Sequence, residues 1–184
     1  GSLIKIGESG DTVYGGAGEQ TIVTGFGNDL VYGDLPISSN DTIDSSKEYN
    51  DYIDAKAGND TIYGGSDSDT IKGGEGNDLI YGASNDGTAE TISDGVGNYL
   101  YGEEGNDIIW AGGTESDYLD GGVGNDTLHA SGNVSATLFG NTGDDSLIGA
   151  NGNDIINGGE GRNTLIGGSG VDTYIVNSND VIID

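Results

Sequence analysis

Gly121–His129 reads GGVGNDTLH, and two other stretches repeat it closely: Gly73–Tyr81 is GGEGNDLIY and Gly102–Trp110 is GEEGNDIIW. The common unit is G-G-x-G-N-D-x-U-x, with U aliphatic. Worked outward along the chain, the template fits about eighteen times, with U at Val13, Ile22, Val31, Ile43, Ile53, Ile62, Ile71, Ile80, Ile92, Leu100, Ile109, Leu119, Leu128, Leu138, Leu147, Ile156, Leu165 and Tyr174. All but Tyr174 are Val, Ile or Leu, which fixes the register of the repeat.

Each x-U-x triplet is expected to be a three-residue strand, because side chains alternate across a pleat and one residue in three then points inward. The glycine-rich hexapeptide between triplets is the turn, where glycine allows positive φ and close backbone approach. Two units make one coil of about 18 residues, and units of the same parity stack about 4.8 Å apart. The expected fold is all-β: a right-handed parallel β-roll (β-solenoid) with two short-stranded parallel sheets around a thin aliphatic core. A single domain covers 1–184. Residues 1–6 form an N-terminal cap strand, 7–175 the repeats, and 176–184 a C-terminal end strand. Gly33–Asp44 and Gly82–Ser93 carry about three extra residues and read as bulged loops. The opening Gly1-Ser2 has the look of a cloning remnant, so the chain is expected to be an excised fragment.

Composition sets the energetic problem. The chain has 37 Gly, 32 Asp plus Glu against 5 Lys plus Arg, a formal net charge of −27 and only 33% hydrophobic residues. Such a composition ordinarily gives disorder, since little apolar surface offsets the entropy of ordering. The acidity excludes nucleic acid and anionic membrane as natural partners. With no cysteine there is no disulfide and no thiolate metal site. No apolar run approaches a membrane span.

Two residues before U, Asp stands at Asp11, Asp29, Asp41, Asp51, Asp60, Asp69, Asp78, Asp107, Asp117, Asp126, Asp145, Asp154 and Asp172, while Gln20, Glu90, Asn98, Ala136 and Asn163 are the exceptions. Stacking lines these carboxylates up, one per layer. Two unit charges about 4.8 Å apart repel by about 0.9 kcal/mol in water and about 3.5 kcal/mol at an effective dielectric of 20. A divalent cation between layers turns each repulsion into two attractions. Carboxylate and carbonyl oxygens suit a hard cation. Glycine turns supply carbonyls in the number and loose geometry that Ca²⁺ accepts and Mg²⁺ does not. Folding and metal binding are then one event.

GGEGNDLIY, GGVGNDTLH and Gly149–Asn157 (GANGNDIIN) resemble the RTX (repeats-in-toxin, hemolysin-type) calcium-binding nonapeptide, over about Gly7 to Ile175. The resemblance implies several Ca²⁺ ions held between successive same-side turns by the thirteen aspartates named above and by turn carbonyls. It also implies a secreted bacterial protein exported by a type I system, which folds outside the cell. Adjoining domains of a longer chain and a monomeric state are expected. The chain departs from the pattern at Gln20, Asn98 and Ala136, which fall in one column and are expected to weaken or remove sites there. The ladder is expected to be most continuous along Asp11–Asp29–Asp51–Asp69 and Asp107–Asp126–Asp145. Glu90 and Asn98 read equally as ligands or as loop polars.

Other features read blandly. Tyr63, Tyr81 and Tyr101 are expected on one sheet, and Trp110 with Tyr14 and Tyr32 on the other; such ladders stabilise exposed sheets, or bind an extracellular glycan. Outward Thr12, Thr21, Thr42, Thr61, Thr70 and Thr91 are interrupted by Leu30, Tyr52 and Leu79, so an ice-binding face is disfavoured. His129, the single histidine, reads as a surface residue. No nucleophile elbow, zinc-protease or phosphate-loop motif occurs, so no catalytic residue is expected. The expected function is a calcium-dependent structural module of an adhesin or toxin. Its alternatives are an auxiliary β-roll of an extracellular enzyme (protease, lipase or alginate epimerase) and a glycan-binding module using the tyrosines.

Overall fold

The computed structural model describes residues 2–16, 18–34, 50–83, 97–112, 115–132 and 134–183. Within them the repeat makes two nine-stranded parallel sheets. One contains β1 (Ser2–Lys5), β3 (Gln20–Val23), β5 (Tyr52–Asp54), β7 (Thr70–Glu75), β9 (Tyr99–Glu104), β11 (Tyr118–Val123), β13 (Thr137–Thr142), β15 (Ile155–Asn157) and β17 (Thr173–Ile175). The other contains β2 (Thr12–Tyr14), β4 (Leu30–Tyr32), β6 (Thr61–Gly65), β8 (Leu79–Ala83), β10 (Ile108–Trp110), β12 (Thr127–His129), β14 (Ser146–Ile148), β16 (Thr164–Ile166) and β18 (Val181–Ile183). Strands alternate strictly between the sheets in chain order, so every pair of consecutive strands completes one coil of a β-solenoid. Among the described residues there is no helix, and none long and apolar enough to cross a membrane.

The U residues form the core. Ile22, Val31, Ile53, Ile62, Ile71, Ile80, Leu100, Ile109, Leu119, Leu128, Leu138, Leu147, Ile156 and Leu165 are fully buried, Val13 nearly so, and Tyr174 packs partly buried at the end. Ladder partners are U opposite U, as in Leu119↔Leu138 and Leu128↔Leu147, so the core side chains stack on one another along the axis. Burying a Leu or Ile side chain is worth about 1.5–3 kcal/mol. A one-residue slip would turn the whole set outward, so the register is strongly specified.

The structure corrects the bookkeeping of the stack. Val31 pairs directly with Ile62, and Ile22 with Ile53. Likewise Ile80 pairs with Ile109, and Ile71 with Leu100. Among the described residues no strand lies between these partners, and the expected core positions Ile43 and Ile92 lie outside the described residues. The strands of Ile53, Ile62, Ile71 and Ile80 therefore lie on the opposite side from the one a simple count of nines gives. Strands also run longer than the expected triplet in places: β6, β7, β8, β9, β11 and β13 extend through the first glycines of the next turn.

One consequence is a single aromatic ladder. Tyr14, Tyr32, Tyr63 and Tyr81 stack on one sheet with ring centroids 5.1, 5.0 and 4.9 Å apart and planes within 10°. Trp110 and His129 continue in the same position, their rings stacked at 3.7 Å. The expected grouping of Tyr63 and Tyr81 with Tyr101 is therefore wrong. Tyr101 belongs to the other sheet, in tilted contact with Tyr118, which also meets Tyr99 and Phe139.

Candidate metal centre

Each aspartate that precedes a strand is placed by the turn before it, and its two carboxylate oxygens have different surroundings. Oδ1 accepts a hydrogen bond from the backbone N–H of the equivalent residue one coil earlier. Along the edge leading into β2, β4 and their sheet, the N–H of Asp11 donates to Asp29 at 2.8 Å, Asp29 to Asp60 at 2.6 Å, and Asp60 to Asp78, Asp78 to Asp107, Asp107 to Asp126 and Asp126 to Asp145 at 2.8 Å each. The opposite edge begins with Gln20 donating to Asp51 at 2.7 Å, then Asp51 to Asp69, Asp69 to Asn98 and Asn98 to Asp117 at 2.8 Å. Ala136 then donates to Asp154 at 2.7 Å and Asp154 to Asp172 at 2.9 Å.

Oδ2 points the other way, into its own turn, against the turn's first glycine. A Cβ built on Gly73, Gly102, Gly121 or Gly140 would lie 2.2, 2.2, 2.4 and 2.3 Å from Oδ2 of Asp78, Asp107, Asp126 and Asp145. Any larger residue there would fill the space the oxygen faces. The Oδ2 atoms of Asp29, Asp51, Asp60, Asp78, Asp107, Asp126 and Asp145 are buried and have no hydrogen-bond partner. An orphaned buried carboxylate oxygen is costly and calls for an explanation.

Burial without a counter-charge shows in the acidities. Desolvation, opposed in part by the donated N–H and increased by neighbouring carboxylates, pushes Asp51 up to about 8 and Asp60 and Asp107 up to about 7. Asp78, Asp117, Asp126 and Asp145 rise to about 6, again chiefly by burial. Desolvation is the leading cause in each case, and a nearby cation is what would reverse it. The donor set of carboxylate and backbone carbonyl oxygens fits Ca²⁺. Among the described residues no three His, Cys, Asp or Glu side chains converge on one point. With one carboxylate per rung, the remaining ligands must come from turn carbonyls and the neighbouring rung.

The profile of the RTX calcium-binding nonapeptide repeat matches residues 6–35, 45–80, 54–89, 85–114, 92–128, 111–133 and 137–174. The chain belongs to the RTX calcium-binding nonapeptide repeat family. A search of curated protein sequences gives no match. As an RTX repeat domain it is a calcium-binding module.

The columns of this RTX solenoid differ from those expected. Asp11–Asp29 is continued by Asp60 and Asp78, not by Asp51 and Asp69, which stand on the opposite edge between Gln20 and Asn98. The parity reversal after Val31 is the reason. Asp107–Asp126–Asp145 is continuous as expected, and Gln20, Asn98 and Ala136 do share one edge. Asp41 and Glu90 lie outside the described residues. The structure adds Asp180, which receives the N–H of Asn163 at 3.0 Å and so ends the first column. Its signal was present in the sequence, since Asn179-Asp180-Val181-Ile182 repeats the N-D-x-U spacing.

The Asn of the motif has a role of its own. Oδ1 of Asn28 accepts from the N–H of Asn59 at 2.9 Å, Asn59 from Asn77 at 2.8 Å, Asn77 from Asn106 at 2.7 Å, Asn106 from Asn125 at 2.6 Å and Asn125 from Asp144 at 2.7 Å. This ladder runs opposite to the aspartate ladder, with the acceptor on the earlier rung. Each turn is thereby tied to the coil before and the coil after it.

Proposed function

We propose that this RTX domain is a calcium-dependent structural module of an exported bacterial protein, and that it becomes ordered only when Ca²⁺ reaches the two carboxylate columns outside the cell. The reading assigns Asp11, Asp29, Asp60, Asp78, Asp107, Asp126 and Asp145 on one edge and Asp51, Asp69, Asp117, Asp154 and Asp172 on the other as ligands, with turn carbonyls completing each site. The observation that carries it is the row of buried Oδ2 atoms without partners, seven of them in the two columns. A chain at −27 that stacks carboxylates in register needs a divalent counter-ion between them. A calcium-poor cytoplasm would leave such a chain unfolded for export, and the exterior would fold it. We read the module as non-catalytic, monomeric and joined to other domains of a longer protein.

Glycan binding through the aromatic ladder has less support. The rings of Tyr14, Tyr32, Tyr63 and Tyr81 stack on one another, so the faces a sugar would need are already covered. The ladder serves as cross-strand stacking on an exposed sheet.

Circular dichroism during titration with Ca²⁺ tests the proposal. In chelator the spectrum should be coil, and it should convert sigmoidally to β as Ca²⁺ reaches millimolar, because each interior aspartate serves two rungs. Equal concentrations of Mg²⁺ should leave the coil unchanged. A spectrum indifferent to Ca²⁺, or an equal response to Mg²⁺, would refute it.

A further inference from the structure

Each edge contains a rung where a side-chain amide replaces the carboxylate. At Asn98, Oδ1 accepts the N–H of Asp69 at 2.8 Å, as an aspartate Oδ1 would. At Asn163, Oδ1 accepts the N–H of Asp145 at 2.9 Å. Because a backbone donor faces each of these atoms, the oxygen is fixed there and the other atom must be the NH₂. That nitrogen takes the place Oδ2 holds elsewhere. A Cβ built on Gly82 would lie 2.8 Å from Nδ2 of Asn98, and one on Gly158 2.6 Å from Nδ2 of Asn163. The corresponding aspartates meet their first glycines through Oδ2 at 2.2–2.4 Å at Gly73, Gly102, Gly121 and Gly140.

We propose that side-chain amides occupy the cation's place at Asn98 and Asn163, so that these two rungs are held together without calcium. An amide nitrogen has no lone pair to give a cation and presents two N–H donors. At Asn163 one of them goes to Oδ1 of Asp180 at 3.0 Å, and the N–H of Asn177 covers Oδ2 of Asp180 at 2.8 Å. Asp180 is therefore satisfied by donors, unlike the aspartates above it. Asn177 extends the substitution, donating from Nδ2 to the carbonyls of Gly159 at 2.9 Å and Gly161 at 3.0 Å, turn oxygens of the kind calcium needs. At the other end of the stack Gln20 does likewise, its Nε2 reaching the carbonyl of Gly18 at 2.7 Å while Ser2 donates to its Oε1. The calcium ladder then has unequal rows. One edge runs from Asp11 to Asp145 without interruption. The other is cut by Asn98 and Ala136 into Asp51–Asp69, a lone Asp117, and Asp154–Asp172.

The inference rests on the calcium reading of the columns, and ion counting separates the two. Equilibrium dialysis of the full chain with ⁴⁵Ca²⁺ should give the same number of bound ions for wild type and Asn98→Ala, a change this column already tolerates at Ala136. Asn98→Asp should bind one ion more. Asn163→Ala and Asn163→Asp should behave in the same way. Loss of an ion in Asn98→Ala would show that Asn98 is a ligand and would overturn the inference, as would an unchanged count in a folded Asn98→Asp. Should Asn98→Asp fail to fold, the alanine variant alone decides. A wild type that binds no calcium would instead defeat the function proposed above.

Discussion

Gly124→Ala is expected to abolish the ordered stack at any calcium concentration, while Gly7→Ala leaves it intact. A Cβ on Gly124 would lie 1.5 Å from the carbonyl oxygen of Gly105 on the preceding coil, and the backbone there has φ of 142°. Neither obstacle can relax alone. Moving the carbonyl breaks the contact between coils, and moving Gly124 breaks the N–H bond to Thr142 on the next coil. Overlap in a packed site costs about 1–3 kcal/mol or more, and a strained backbone about 1–3 kcal/mol besides. Together these come to about 2–6 kcal/mol or more, which reaches the lower end of a small domain's stability of about 5–15 kcal/mol. Gly7, by contrast, has nothing within 4 Å of the added atom. Thermal melts in saturating calcium should show a normal transition for Gly7→Ala and none for Gly124→Ala; similar melts would contradict the packing described.

Asp126→Ala is expected to raise the calcium concentration at half-folding several-fold, against a small rise for Asp172→Ala. Asp126 is buried inside the continuous column, with coils on both sides. Its loss strips the N–H of Asp107 of its acceptor and removes the Oδ2 that faces the turn. An unsatisfied buried donor alone costs about 1–3 kcal/mol, and each 1.4 kcal/mol is about a tenfold change in an equilibrium constant. Two neighbouring cation sites also lose a ligand, which adds to that figure. Asp172 lies in the last coil of its edge, half-exposed, and holds only the N–H of Asp154 at 2.9 Å. Calcium titrations followed by circular dichroism compare the two. Equal midpoints would mean that aspartates are not shared between rungs.

Most of this molecule was legible in its sequence, because the determining interactions are local and repeated. The spacing from Asp to U and the run of glycines name the strand, the turn and the buried side chain in every unit, and the core from Val13 to Leu165 follows. What a count of nines could not supply was which units stack. The direct pairing of Val31 with Ile62 and of Ile80 with Ile109 shows it, and spacing alone does not. The reversal of sides then moved Asp51, Asp60, Asp69 and Asp78 between edges and joined four tyrosines into one ladder. Asn98 and Asn163 were visible as departures. Their amides' place against Gly82 and Gly158 depends on which neighbour supplies the N–H, and only three-dimensional packing shows that. Asp180 was legible and passed over, since it follows the last full glycine turn.

Hydrogen–deuterium exchange of the backbone amides of the aspartates at neutral pH, in calcium and in excess chelator, tests most directly whether the carboxylate columns require a cation. With calcium, the N–H groups of Asp60, Asp78, Asp107 and Asp126, each bonded to the next aspartate, should be strongly protected. In chelator that protection should vanish along the whole column. Protection that survives chelation would show that seven buried, unpartnered carboxylate oxygens can be tolerated without metal, and the account would fail.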